Sequence, residues 1–149
     1  MLPLESICEE YPMSEAETVA LVERYIAAFN AADSEGMLAC LSDDVAHDIN
    51  QGGREIGKDQ FRWFNGMMQK HYREELADVA IMVNQGGGRA AAEFTVHGTY
   101  LATAEGLPEA KGQTYVLSAG IFFDIDDGLI SRVTTYYNLE DWVAQVNKG

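Results

Sequence analysis

The chain has 149 residues and a formal net charge of −14 at pH 7. No basic patch interrupts that acidity, so nucleic acid and anionic membrane surfaces are excluded as partners on electrostatic grounds. Hydrophobic residues make up 47% of the chain, yet no apolar run reaches the roughly 18 residues of a membrane span, so one ordered domain is expected.

Residues 1–13, MLPLESICEEYPM, form a lead-in with little pattern. They carry acidic side chains and no basic ones, unlike a secretory signal, so a cytoplasmic location is expected. Cys8 and Cys40 could form a bridge, but nothing in a chain of this size and compartment requires one. Cys40 reads as a packing residue.

A single domain is expected over 14–149. Ser14 and Glu17 have the spacing of a capping box, which opens a first helix over 14–30. At about 100° per residue, Thr18, Val22, Tyr25, Ile26 and Phe29 share one face. Tyr25 lies in the middle of that apolar stripe, and a buried phenol needs a hydrogen-bond partner, which points to a pocket. The Ala31-Ala32-Asp33-Ser34 corner caps a short second helix carrying Met37, Leu38 and Leu41. The Ser42-Asp43-Asp44 turn leads into a strand over 45–50, which Gly52-Gly53 ends. A third helix over 58–71 carries Phe61, Phe64, Met67, Met68 and His71 at helical spacing.

From residue 73 the period changes to two. Strands are predicted over 73–84, 89–103, 112–125 and 129–138, joined by Asn84-Gln85-Gly86-Gly87-Gly88, Glu105-Gly106-Leu107-Pro108 and the tight Asp127-Gly128 hairpin. Successive strands imply an antiparallel meander. Asn138 caps a C-terminal helix with Leu139, Trp142, Val143 and Val146. The expected fold class is α+β: a curved antiparallel sheet with three helices from the N-terminal half laid across it, leaving a cone-shaped pocket.

The stretches Arg24-Tyr25-Ile26-Ala27-Ala28-Phe29-Asn30-Ala31-Ala32-Asp33, Gly36, Asp43-Asp44 and Phe94-Thr95-Val96, with the final hairpin, resemble the ketosteroid isomerases. The wider class is the nuclear transport factor 2-like fold, which includes the SnoaL-like polyketide cyclases. The string His47-Asp48-Ile49-Asn50-Gln51-Gly52-Gly53 is similar to that of ketosteroid isomerase-related proteins. The resemblance spans nearly all of 14–138 and is more specific for fold than for reaction. It implies cofactor-free acid–base chemistry on a hydrophobic carbonyl compound through an enolate, of isomerase, cyclase or dehydratase type. It also implies a homodimer formed through the sheet face. The same cavity could instead hold a small apolar ligand unchanged, and the sheet face could serve as an interaction module.

Matched residue by residue, Tyr25 takes the place of the helix tyrosine that donates to the enolate oxygen. Asp48 takes the place of the carboxylate base if one deletion is assumed; without a gap, Ile49 falls there. The family's second oxyanion donor, an acid on a late strand, falls at Ala119-Gly120, where no acid exists (ketosteroid isomerase is itself a standard illustration of tuned carboxyl pKa values). Losing one such donor typically costs about 10²–10³ in rate. His47 competes with Asp48, because adjacent strand residues point to opposite faces. Plain alternation groups Val45, His47 and Ile49 and would turn His47 inward. The resemblance turns Asp48 inward with Asn50, and Asp48 is the base adopted.

The remaining pocket lining is expected from Trp63, Phe64, Met67, Met68, Phe94, Val96, Tyr115, Phe122, Val133, Thr135 and Tyr137. Burial beside a phenol would raise a carboxyl pKa and make it a usable base. His71 ends its helix, and His97 is expected on the opposite sheet face with Glu93, Thr95 and Thr99. The three histidines show no ligand spacing, so neither a metal nor a cofactor is expected.

Overall fold

A computed structural model describes residues 14–148. The lead-in and Cys8 lie outside the described residues. The elements in chain order are α1 (Glu15–Asn30), α2 (Ser34–Leu38), β1 (Leu41–Asp48), β2 (Arg54–Ile56), α3 (Lys58–His71), β3 (Tyr72–Val83), β4 (Arg89–Tyr100), β5 (Thr114–Asp126), β6 (Leu129–Tyr137) and α4 (Leu139–Lys148).

Capping chemistry sets the helix boundaries. Ser14 Oγ accepts a hydrogen bond from the Glu17 amide at 3.1 Å, fixing the start of α1. Asp33 Oδ1 accepts from the Gly36 amide at 2.9 Å and opens α2. Glycine is required there, because a Cβ on residue 36 would stand 2.3 Å from Asp33 Oδ2. Asn138 Oδ1 caps α4 through the Asp141 amide. The Asp127-Gly128 pair has positive φ at both positions, the geometry of a tight hairpin turn.

The strands form one six-stranded sheet in the order β2-β1-β6-β5-β4-β3. The meander β3–β6 is antiparallel, as the succession of strands implied, but β1 lies parallel to β6. The sheet is therefore mixed, which corrects the purely antiparallel expectation. A parallel partner is possible because α3 and the whole meander intervene between the two strands. β1 also begins four residues earlier than predicted. Asp43 and Asp44 are exposed members of that strand and not a turn, and Asp43 faces Lys58 at 3.7 Å. The short β2 strand was not foreseen. It pairs with β1 from Ala46↔Ile56 to Asp48↔Arg54, too few residues to show a period.

Alternation sorts the long strands cleanly. On β4, Ala92, Phe94, Val96 and Tyr100 are buried on the helix-covered face, while Glu93 and His97 are exposed on the other. A bulge at Asp78, which has φ of 54°, resets β3 between Ala77 and Ala80. Asn30, the last residue of α1, clamps that helix to β3 twice. Its Nδ2 donates to the Leu76 carbonyl at 3.0 Å, and its Oδ1 accepts from the Leu76 amide at 2.8 Å. Asn30→Ala is expected to cost about 1–3 kcal/mol in urea unfolding, because it strands both Leu76 backbone groups.

Candidate active site

Between the helices and the inner sheet face lies a cavity of about 620 Å³. α1 contributes Tyr25 and Phe29, α3 contributes Phe64 and Met68, and the sheet contributes Phe94, Val96, Leu117, Ile121 and Val133. Leu139 and Trp142 of α4 close one side. Trp142 is buried edge-on against the rings of Tyr72, Tyr100 and Tyr115. Polar groups reach this mostly apolar space at a few points, among them His47, Asn50, Tyr72, Glu74, Thr135 and Tyr137.

The register of β1 decides which neighbour of the His47-Asp48 pair enters. His47 pairs with Val133 and Asp48 with Thr134 on β6, so His47 shares the inner face with buried Val133. His47 is 5% exposed and sits between the rings of Phe61 and Phe64, at centroid distances of 4.9 and 4.7 Å. Its Nδ1 is buried and has no partner among the described residues. Burial lowers the imidazole to a pKa of about 4, against a weaker opposing pull from Asp48, so the ring is neutral at pH 7.

Asp48 is not on the cavity wall, which corrects the expectation that it turns inward. It points to the outer sheet face, where Arg54 grips it in a fork at 2.7 and 3.0 Å and Thr134 Oγ1 donates at 2.6 Å. Arg132 then links Thr134 to Asp124. The Arg54 hydrogen bonds, then Thr134, hold the Asp48 carboxyl at a pKa of about 2. Such a carboxylate is a poor base. Because its folded pKa lies below the unfolded value, its stabilisation is full above about pH 4 and fades as pH falls toward 2. Asp48→Asn is expected to lower stability by about 1 kcal/mol at pH 7, to flatten that acid limb, and to leave cavity chemistry unchanged. Urea titrations at pH 7 and pH 2.5 would check it.

Ile49, which falls at the family base position when no gap is assumed, lines the cavity. The ungapped count therefore matches the geometry. Asn50 also reaches the cavity, because the chain leaves β1 after Asp48 and turns at Gln51, where φ is 57°. Asn50 Oδ1 accepts from the Tyr137 amide at 3.2 Å, and its Nδ2 is buried without a partner among the described residues.

Of the expected lining, Phe64, Met68, Phe94, Val96, Val133, Thr135 and Tyr137 line the cavity with Tyr25 and Asn50. Four others do not. Trp63 and Met67 lie on the solvent side of α3, 62% and 41% exposed, because Phe61, Phe64, Asn65 and Met68 take the inward positions. Phe122 lies on the outer sheet face against Tyr136, since Ile121 and Phe123 take the inner positions of β5. Tyr115 is buried on the inner face but is committed to Glu74, to whose Oε2 its hydroxyl donates at 2.5 Å.

Tyr25 is buried, packs edge-on against Phe123, and lines the cavity. Burial raises its phenol well above the usual tyrosine range, so it is a neutral hydrogen-bond donor at any physiological pH. Glu74 was missed in the sequence. Its signal was present in the alternation Tyr72-Glu74-Leu76, which places a carboxyl on the apolar face of β3. Burial raises its pKa, partly offset by the Tyr115 hydrogen bond. Among the described residues, no cluster of three histidine, cysteine or acidic side chains could hold a metal ion. No helix there is long and apolar enough to cross a membrane.

The family model described as "SnoaL-like domain" matches residues 22–133, most of the chain and all of the sheet up to mid-β6. The chain belongs to the SnoaL-like family. Its fold is nuclear transport factor 2-like, and relatives of that fold share it at high similarity. A Pseudomonas putida KT2440 protein of solved structure, carrying the provisional name polyketide cyclase, is 60% identical, with a TM-score of 0.86. The match covers 90% of this chain and 98% of that one. A Xanthomonas campestris pv. campestris protein with the same provisional name is 53% identical, with a TM-score of 0.87, over 89% and 98% of the two chains. An LEH-like epoxide hydrolase of M. tuberculosis shares the fold at 19% identity and a TM-score of 0.71, over 91% of this chain and 92% of that one. The comparison with curated proteins returns no match. The SnoaL-like chain thus sits among enzyme-named relatives that share its cavity-bearing fold.

Proposed function

We propose that this SnoaL-like protein is a cofactor-free acid–base enzyme acting on a hydrophobic carbonyl compound, by chemistry of isomerase, cyclase or dehydratase type. The observation that carries this reading is a neutral imidazole on the wall of an apolar cavity that also holds a buried phenol. His47 takes the role of proton acceptor that the resemblance gave to Asp48. Tyr25 donates to the carbonyl oxygen as it gains enolate charge. An apolar wall suits both, since a water-poor site strengthens a hydrogen bond to a developing anion. The provisional names of the relatives from P. putida and X. campestris favour the same class.

The test is exchange of carbon-bound hydrogen next to a carbonyl. A flat ketone such as 2-tetralone, incubated in deuterated buffer, should take up deuterium faster with the protein than without it. Tyr25→Phe should slow that exchange by about 10²–10³. A wild-type rate equal to the buffer rate, across a panel of apolar ketones, would sink the reading.

A further inference from the structure

Three strands place Glu74, Gly98 and Tyr115 in one row. Glu74 on β3 is the register partner of Gly98 on β4, and Gly98 is the register partner of Tyr115 on β5. All three lie on the inner face. Gly98 does not have positive φ, so its backbone would accept other residues; the space above it would not. A Cβ there would stand 2.2 Å from Tyr115 Cζ and 2.5 Å from its hydroxyl oxygen. The tyrosine ring lies across β4 through the gap the glycine leaves and bonds to the carboxyl on the far strand. Trp142 packs edge-on against the same ring, at a centroid distance of 5.8 Å.

This arrangement holds an acid where the fold would otherwise put an apolar side chain. Glu74 is the only carboxyl on the cavity wall among the described residues. Tyr115 engages Oε2, and the carboxyl keeps acceptor capacity for a second hydrogen bond. The phenols of Tyr72 and Tyr137 lie on the same cavity wall, and burial raises both above the usual tyrosine range. Each of the two can donate to a ligand oxygen. A carboxyl acceptor that shares a wall with phenol donors is matched by a hydroxyl group, which both donates and accepts.

We propose that Glu74 is a specificity-determining residue of the cavity, selecting molecules that present a hydroxyl group at the α4 side, and that Tyr115, lying across Gly98, is its positioning residue. The inference deepens the functional reading above by restricting the hydrophobic carbonyl compound to one that also carries a hydroxyl group remote from the reacting carbonyl.

Direct binding tests this without turnover. 2-Naphthol and naphthalene differ by one hydroxyl group. In a cavity with no partner for it, naphthol binds more weakly, because a buried hydroxyl loses its hydrogen bonds to water. The wild-type protein is expected to prefer naphthol, by about tenfold for a hydrogen bond to a charged or strongly polarised acceptor. Glu74→Leu combined with Tyr115→Phe removes both partners and replaces them with apolar groups of similar size. That double variant should lose most of the naphthol preference, keeping only what His47 and the remaining phenols of the wall can supply. Tyr115→Phe alone should keep the naphthol preference but reduce it several-fold, because Glu74 loses its tether. A double variant with the wild-type preference for naphthol would overturn the proposal, as would a wild-type protein that prefers naphthalene. The two readings fail separately: lost deuterium exchange with an intact naphthol preference removes the enzyme and leaves the selectivity, and the converse removes only the selectivity.

Discussion

His47→Leu should abolish deuterium exchange next to the carbonyl and at the same time make the protein more stable at pH 5. The loss of exchange follows from removing the proposed proton acceptor, an effect of about 10²–10⁴ in rate. The gain in stability follows from linkage. His47 has a folded pKa of about 4, below the 6.5 of an unperturbed histidine. Between those values the unfolded chain binds a proton that the folded chain does not, so wild-type stability falls as pH drops from 6.5 toward 4. The accumulated penalty is about 3 kcal/mol for a shift of this size. Leucine has nothing to protonate, fits between Phe61 and Phe64, and leaves no polar atom unpaired. Urea midpoints at pH 7 and pH 4.5 should therefore diverge for the wild type and nearly coincide for the variant. A wild-type limb that survives His47→Leu would place the titration on another group.

Trp142→Ala should be the most destabilising single change on α4, at about 3–5 kcal/mol. The indole is buried and touches three tyrosine rings as well as the cavity. The partly buried residues Leu139 and Val143 cannot fill the space it leaves, since both already pack against the core from the same short helix. The loss would appear in denaturant unfolding followed by far-ultraviolet circular dichroism. The variant should also bind bulkier apolar ligands than the wild type, because one wall of the cavity is gone. A loss below about 1 kcal/mol would mean that α4 contributes little to closing the site.

Local chemistry made most of the fold legible in the sequence. The Ser14, Asp33 and Asn138 caps, the Asp127-Gly128 turn and the inward-outward alternation of Phe94, Val96 and His97 are each decided within a few residues, and the structure keeps them. The parallel pairing of β1 with β6 was not legible, because its partners are more than 80 residues apart and no local pattern encodes it. The site followed the same division. Plain alternation along Val45-His47-Ile49 pointed to the inward face correctly, and importing a one-residue deletion to suit a family motif turned Asp48 inward, where the structure does not place it. Trp63 and Met67 show a related limit. On α3 the apolar residues wrap beyond the face that the sheet can cover, so period alone could not choose between Phe64 and its neighbour Trp63. Glu74 escaped notice because a carboxyl in a half-polar strand looks like a solvated one until the residue across from it proves to be a glycine overlaid by a tyrosine.

The pairing of β1 with β6 also orders events in time. The meander β3–β6 joins neighbours in sequence and closes short loops, whereas His47 meets Val133 only by closing a loop of more than 80 residues. Such closure costs more entropy and is slower than hairpin formation. As the chain leaves the ribosome, β1 and its histidine can meet β2 and α3 early, but the strand has no place in the main sheet until β6 has been synthesised. The His47 wall of the cavity should therefore become native after the half that carries Glu74 and Tyr115.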